Sequence, residues 1–264
     1  MRDQALERAI GAAGGVRALA RAVGVSQPAI SSWKRVPADR VLSVEASTGI
    51  PRSELRPDLY PAESIVLPPA AASGTDELDA ARADEFELIG ALLWRAPTVE
   101  TLSALESLRG DASPLGMAHL ALAEAAAEAT PDQVRDEFFR LFIGVGRGEL
   151  LPYASYYLTG FLHERPLAQV REDMGKLGLA RAERVSEPED HIAVLMDIQA
   201  RLIRGEVSGE GVDEGGFFAR HIRPWADRFF ADLETAEAAR FYRAVGRVGS
   251  LYLSIETQAA GLPA

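Results

Sequence analysis

From Asp84 onward the apolar residues recur at intervals of three and four and almost never alternate. That spacing lines them up on one side of a 3.6-residue helix, whereas a half-buried strand needs a period of two. Ile192, Leu195, Met196, Gln199, Leu202 and Ile203 make one such stripe; Phe241, Val245, Val248, Tyr252 and Ile255 make another. The expected fold class is therefore all-α, with about eight to ten helices in this region at ~11 residues each. Helix starts are marked locally. Thr98 is placed to cap a helix from Val99 to Leu108, and Thr130-Pro131-Asp132-Gln133 has the form of a capping box with proline in the first turn. Phe161 to Leu177 reads as a helix broken at Pro166.

The first 61 residues have a different character. Residues 3–13, 15–23, 26–35 and 38–48 read as four short helices. In VRALARAVGVSQPAISSWKR, Ala20 stands where two helices cross, Gly24 and Val25 form the turn, and Ile30 and Trp33 anchor the second helix. This is helix-turn-helix spacing. Ser26 is a suitable N-cap and Pro28 suits the first turn. Gln27, Ala29, Ser31, Ser32, Lys34 and Arg35 are then the exposed positions. Gln27 suits an adenine edge, Ser31 and Ser32 base edges or backbone, and Arg17, Lys34 and Arg35 phosphates. The alternative is a module kept for packing or dimerisation. Residues 62–83, with two adjacent prolines, an alanine run and Ser-Gly-Thr, read as a linker. The expected organisation is thus a head at 1–61, a linker at 62–83 and a helical body at 84–264.

Charge follows this division. Nine basic and six acidic residues up to Tyr60 leave the head at +3, so the remainder of a chain of net charge −11 carries −14. An acidic body repels nucleic acid and favours cationic ligands. The chain has no cysteine, which excludes disulfides, thiolate metal sites and cysteine nucleophiles. Its four histidines lack metal-ligand spacing, and no apolar run approaches the ~20 residues of a membrane span. No uninterrupted apolar core follows Arg2, Asp3, Glu7 and Arg8, so no secretory leader is expected and cytoplasm is the expected location.

The centre of the body is FFRLFIGVGRGELLPYASYYLTGFLHERP, Phe138 to Pro166, with SEPEDH at Ser186 to His191 as its companion. GVGRGE lacks the lysine and serine or threonine of a phosphate loop and follows a helix rather than a strand. Its glycines suit a helix C-terminus with left-handed positions. In SEPEDH, Ser186 and Glu189 have capping-box spacing, with Pro188 in the first turn. Asp190 and His191 are left over. No nucleophile accompanies them, so they read as polar contacts at the exposed mouth of a groove rather than as catalysts.

Two resemblances follow from these residues. The head, through VRALARAVGVSQPAISSWKR and its ending VPADRVLSVEASTGIPRSELRPDLYP, resembles the YdaS-type antitoxin/Cro-like repressors, which implies DNA binding, usually as a dimer. The body, through FFRLFIGVGRGELLPYASYYLTGFLHERPLAQVREDMGKLGL, EPEDH and FFARHIRPWADRFFADLE, resembles the TorD/DmsD redox-enzyme maturation chaperones. That resemblance implies an all-helical, non-enzymatic chaperone without a cofactor and without stable membrane association. Its partners are a twin-arginine signal peptide and the folding apo-form of a molybdenum oxidoreductase, formate dehydrogenase by similarity to one branch. The implied peptide-binding positions are Phe138, Leu141 and Phe142, then Pro152, Tyr153, Ser155 and Tyr157, then Pro188, Asp190 and His191. Glu187 or Asp190 is expected to accept a guanidinium group. The competing reading is a transcription regulator whose helical body is the sensor.

Overall fold

The computed structural model describes residues 3–37, 40–56, 77–181 and 187–261, and the chain divides into a head and a body. Among the described residues every regular element is helical, and strand pairing is confined to the isolated bridges Tyr153–His191 and Gly209–Val212.

The head has helices α1 (Gln4–Ala12), α2 (Val16–Ala22), α3 (Gln27–Ser32), α4 (Val41–Thr48) and α5 (Arg52–Leu55). Asp3 caps α1 by accepting from the Ala5 N–H at 2.9 Å, and Ser26 caps α3 by accepting from Ala29 at 3.4 Å. Gly24, at φ 69°, supplies the left-handed turn between α2 and α3 that a Cβ disfavours. Leu6, Leu19, Ile30, Val36, Val41, Val44 and Leu55 fill the core. The helix-turn-helix expected from the sequence is present, with one correction. Helix α3 ends at Ser32, with Trp33 already extended, so Lys34 and Arg35 lie beyond it rather than on its face.

The body begins earlier than its composition suggests. Helix α6 runs from Glu77 to Trp94, so residues 77–83, expected in the linker, are helical; Ala83 is fully buried. Then come α7 (Val99–Glu106), α8 (Pro114–Glu128), α9 (Pro131–Phe138), α10 (Ala154–Thr159), α11 (Arg165–Lys176), α12 (Ile192–Ile203), α13 (Glu214–Phe217), α14 (Ala226–Thr235) and α15 (Phe241–Ala259). Both α9 and α13 pass into a π turn, at Phe139–Ile143 and Phe218–Ile222. Thr98 caps α7 and the Thr130–Gln133 capping box opens α9, both as expected. Pro166 starts a helix rather than breaking one: α11 begins at Arg165, and Gly160 at φ 84° has already ended α10.

Two pairs of helices make the frame. Helix α12 lies along α6, where Gly90 meets the Met196 side chain and the Ala193 carbonyl. Helix α15 lies along α14, where a Cβ on Gly249 would stand 2.2 Å from the Phe230 ring. Trp225, Tyr242, Phe86, Phe217, Phe229 and Phe230 are the largest fully buried side chains. Buried Asp173 accepts from His221 Nε2 at 2.8 Å and Lys176 Nζ at 3.0 Å, and pairs with Arg220, fixing the second π turn to α11. This frame holds the Phe138–Pro166 segment in place.

Candidate functional site

Glycine sets the path of the central segment. Gly144 ends the π turn at φ 63°, and a Cβ on Gly148 would stand 2.6 Å from the Leu141 carbonyl. The chain doubles back there, so that Leu150 N–H donates to the Leu141 carbonyl at 2.8 Å. The helix end at Gly144 is the role expected from the sequence, and the close backbone approach at Gly148 is a second role that the sequence did not announce. Glu149 is spent on structure: its carboxylate accepts from the N–H groups of Glu237 and Ala238, at 2.5 and 3.0 Å.

The segment then meets Glu187–His191. Tyr153 bridges His191, Ile192 N–H donates to the Pro152 carbonyl at 2.8 Å, and Ala154 N–H donates to the Asp190 carbonyl at 3.0 Å. The Asp190 carboxylate accepts from Ser155 N–H at 2.8 Å in the first turn of α10, where negative charge suits the helix dipole. His191 is the N-cap of α12, its Nδ1 accepting from Ala193 N–H at 3.1 Å. Its ring stands edge-on to Trp94 and Tyr153, at 5.6 and 5.2 Å between centroids. Burial lowers its pKa to about 3, so the ring is neutral. The Tyr153 hydroxyl donates to Glu187; burial and that carboxylate hold the phenol protonated.

Several expectations are corrected by this arrangement. Asp190 is 1% exposed and His191 6%, so neither stands at a groove mouth. They are inside because two helix starts need acceptors there. Ser186 lies outside the described residues. Glu189 completes no capping box, because α12 starts at Ile192; its carboxylate instead pairs with Arg171 at 2.8 Å and Arg181 at 3.8 Å. Leu141, Pro152, Ser155 and Tyr157 are buried as well. Tyr157 packs on Trp225 and Phe229 and donates to Asp232 at 2.9 Å, which makes it part of the core.

The partly exposed members form two groups. Phe138 and Phe142 stand edge to face at 5.0 Å, and both rest against the buried ring of Tyr242. Tyr153, Glu187 and Pro188 make the second group, half-buried over His191. Between Arg147, Leu150, Leu151, Tyr156 and Arg228 opens a cleft of about 410 Å³. The Arg147 guanidinium lies 5.1 Å from the centre of the Tyr156 ring and donates to its hydroxyl at 2.6 Å. In the head, Gln27, Ser31, Ser32, Lys34 and Arg35 are exposed, while Ala29 is half-buried. Arg17 Nε donates to the Gln27 side-chain carbonyl at 3.0 Å, and the Ser32 hydroxyl donates to its own helix at Ala29 O, 2.7 Å.

Comparison with known proteins fits this division. Residues 108–231 match the family model described as nitrate reductase delta subunit, and residues 6–64 match bacterial toxin YdaS. The chaperone protein TorD of Vibrio cholerae is 29% identical over 126 residues, 44% of this chain and 57% of that protein. TorD of Shewanella loihica is 27% identical over 151 residues, 53% of this chain and 68% of that protein. The chain thus spans little more than half the length of the first of these relatives. A crystal structure from Archaeoglobus fulgidus, 19% identical, covers 73% of this chain and 99% of its own at a TM-score of 0.48.

The body is TorD-like, and the head is YdaS-like.

The TorD-like body also uses residues that sequence reasoning passed over. Trp94 ends α6 and covers His191, some hundred positions along the chain, with no local pattern to announce it. Glu137 is buried and accepts from the N–H groups of Arg240, Phe241 and Tyr242 at 2.7, 3.1 and 2.7 Å, capping α15. Its one sequence signal is an acid directly before Phe138 and Phe139. Among the described residues no group of histidines and carboxylates is placed to hold a metal, and no helix is long and apolar enough to cross a membrane.

Proposed function

We propose that the protein is a maturation chaperone: its body holds the signal peptide and folding apo-form of a molybdenum oxidoreductase, and its head binds DNA. The carrying observation is the half-exposed aromatic wall of Phe138 and Phe142 on Tyr242, with Tyr153 and Glu187 on the same central segment and its companion. Aromatic side chains left partly open on a rigid frame suit an apolar peptide stretch, whose burial contributes about 25 cal/mol per Å². Glu187 is half-exposed and offers a carboxylate to a guanidinium group; Asp190 is buried and does not. The names of the relatives support the same reading, and a formate dehydrogenase precursor is the client to look for first.

The test is a pull-down from the native host with the full chain as bait and mass spectrometry of what is retained. A molybdoenzyme precursor, lost on Phe138→Ala/Phe142→Ala while the variant stays folded, supports the reading. Retention of DNA alone makes the body a sensor instead. That second reading, a transcription regulator, is favoured by the exposed row of Gln27, Ser31 and Ser32 on α3. It requires an operator shift that responds to signal peptide.

A further inference from the structure

Helix α3 of the head, Gln27 to Ser32, carries no charged residue. Its exposed polar side chains are Gln27, Ser31 and Ser32. The Ser32 hydroxyl already donates to the Ala29 carbonyl at 2.7 Å. Of the three, only Gln27 is long, and it stands in the first turn of the helix, directly after the Ser26 cap. Base reading by this helix therefore depends above all on how the Gln27 amide is presented.

That amide is held. Arg17, in the first turn of α2, donates from Nε to Gln27 Oε1 at 3.0 Å, across the turn that joins the two helices. A guanidinium has donors and no acceptor, so the contact fixes which end of the amide is which. The oxygen faces α2, and the Nε2 group with its two donors faces away from it. Arg17 and Gln27 are both exposed, and among the described residues the terminal nitrogens of Arg17 donate to no other protein group. Holding a glutamine in one orientation beforehand removes rotamer freedom that it would otherwise lose on binding.

We propose that Arg17 is a positioning residue for base recognition: it holds Gln27 with the amide nitrogen outward, so that the head reads guanine. The inference rests on the reading of the head as a DNA-binding domain. In the major groove guanine shows two neighbouring acceptors, N7 and O6, and no donor. Adenine shows an acceptor beside a donor, and matching both takes the amide oxygen together with the nitrogen. Arg17 keeps that oxygen turned toward α2, so guanine replaces the adenine edge expected from the sequence. The same guanidinium joins two kinds of contact. Its Nε orients the base-reading side chain, and its terminal nitrogens are left for a backbone phosphate, so register and readout are set together.

The test is selection of bound duplexes from a randomised pool by the full chain in low salt, followed by competition titration of the enriched sequence and its single-base variants. The expected result is one guanine per half-site, preferred over adenine by about tenfold, and a loss of that preference on Gln27→Ala. Arg17→Met, which keeps length but has no donor, is expected to reduce the preference to about twofold at that position alone. Arg21→Met removes the same charge from the same helix and leaves the preference intact; a phosphate contact alone would instead weaken all sequences alike. Thermal unfolding checks that the variants fold. Should Arg17→Met not fold, Gln27→Glu keeps the partner of Arg17 but removes the outward donors, and the guanine preference is expected to vanish. Adenine at the position that Gln27→Ala relaxes overturns the proposal, as does a guanine preference that survives Arg17→Met or Gln27→Glu. Failure to enrich any sequence denies DNA binding by the head, and this site with it; an enriched sequence without the guanine overturns the positioning role alone.

Discussion

His191 caps a helix with an imidazole, and that choice carries a pH dependence. Its Nδ1 can accept from Ala193 N–H only while unprotonated, and burial holds its pKa near 3, against ~6.5 when unfolded. A base whose pKa is depressed by folding stabilises fully above its unfolded value and loses that contribution as pH falls toward the folded one. Between pH 6.5 and 5 the loss is about 2 kcal/mol. His191→Asn keeps a capping acceptor without the titration, so urea unfolding at the two pH values should give it the flatter profile; equal slopes would contradict the assignment. Asp190 is its neighbour in the same joint. Asp190→Ala strands the Ser155 N–H and should cost about 1–3 kcal/mol in the same measurement. Such a loss of stability, rather than a direct loss of ligand contacts, is then what a peptide titration of that variant would report.

At the scale of the elements, backbone approach matters as much as apolar burial. Helix α15 reaches α14 closely because Gly246 and Gly249 leave room for the Glu234 backbone and the Phe230 ring. Gly249→Ala forces that ring aside and should destabilise by about 1–3 kcal/mol, read as a lower midpoint in chemical denaturation; an unchanged midpoint would mean that the crossing can relax freely. The helical stripes and the caps at Thr98 and Thr130 were readable because periodicity and capping are local. What was not readable depends on partners far along the chain. Ser186-x-x-Glu189 has the right letters for a capping box, but Arg171 and Arg181 take the glutamate and histidine takes over the cap. Of the candidate peptide site, Phe138 and Phe142 were named in the sequence only through the family resemblance. The inward turn of Asp190, Ser155 and Tyr157 was not legible, since a motif does not state which side of a chain faces the core. Likewise the linker estimate failed at 77–83 because alanine and acid suit both an exposed tether and the first turns of a helix.

For the whole molecule, the charge division separates two kinds of binding that salt should distinguish. If Arg17, Lys34 and Arg35 each neutralise one phosphate, log affinity for duplex DNA falls with log salt at a slope of about −3 per head. Lys34→Ala should reduce that slope by about one; a slope near zero in the wild-type chain would deny phosphate contact altogether. Within the body, the Tyr153–His191 bridge has a temporal consequence. Three amide protons, on Ala154, Ser155 and Ile192, cross one joint. That joint leaves the Ser155 hydroxyl and one Asp190 oxygen buried without partners. Deuterium should therefore enter all three positions at a single shared rate, faster than in the Phe86–Trp225 interior, and that rate is the clock of the region's opening.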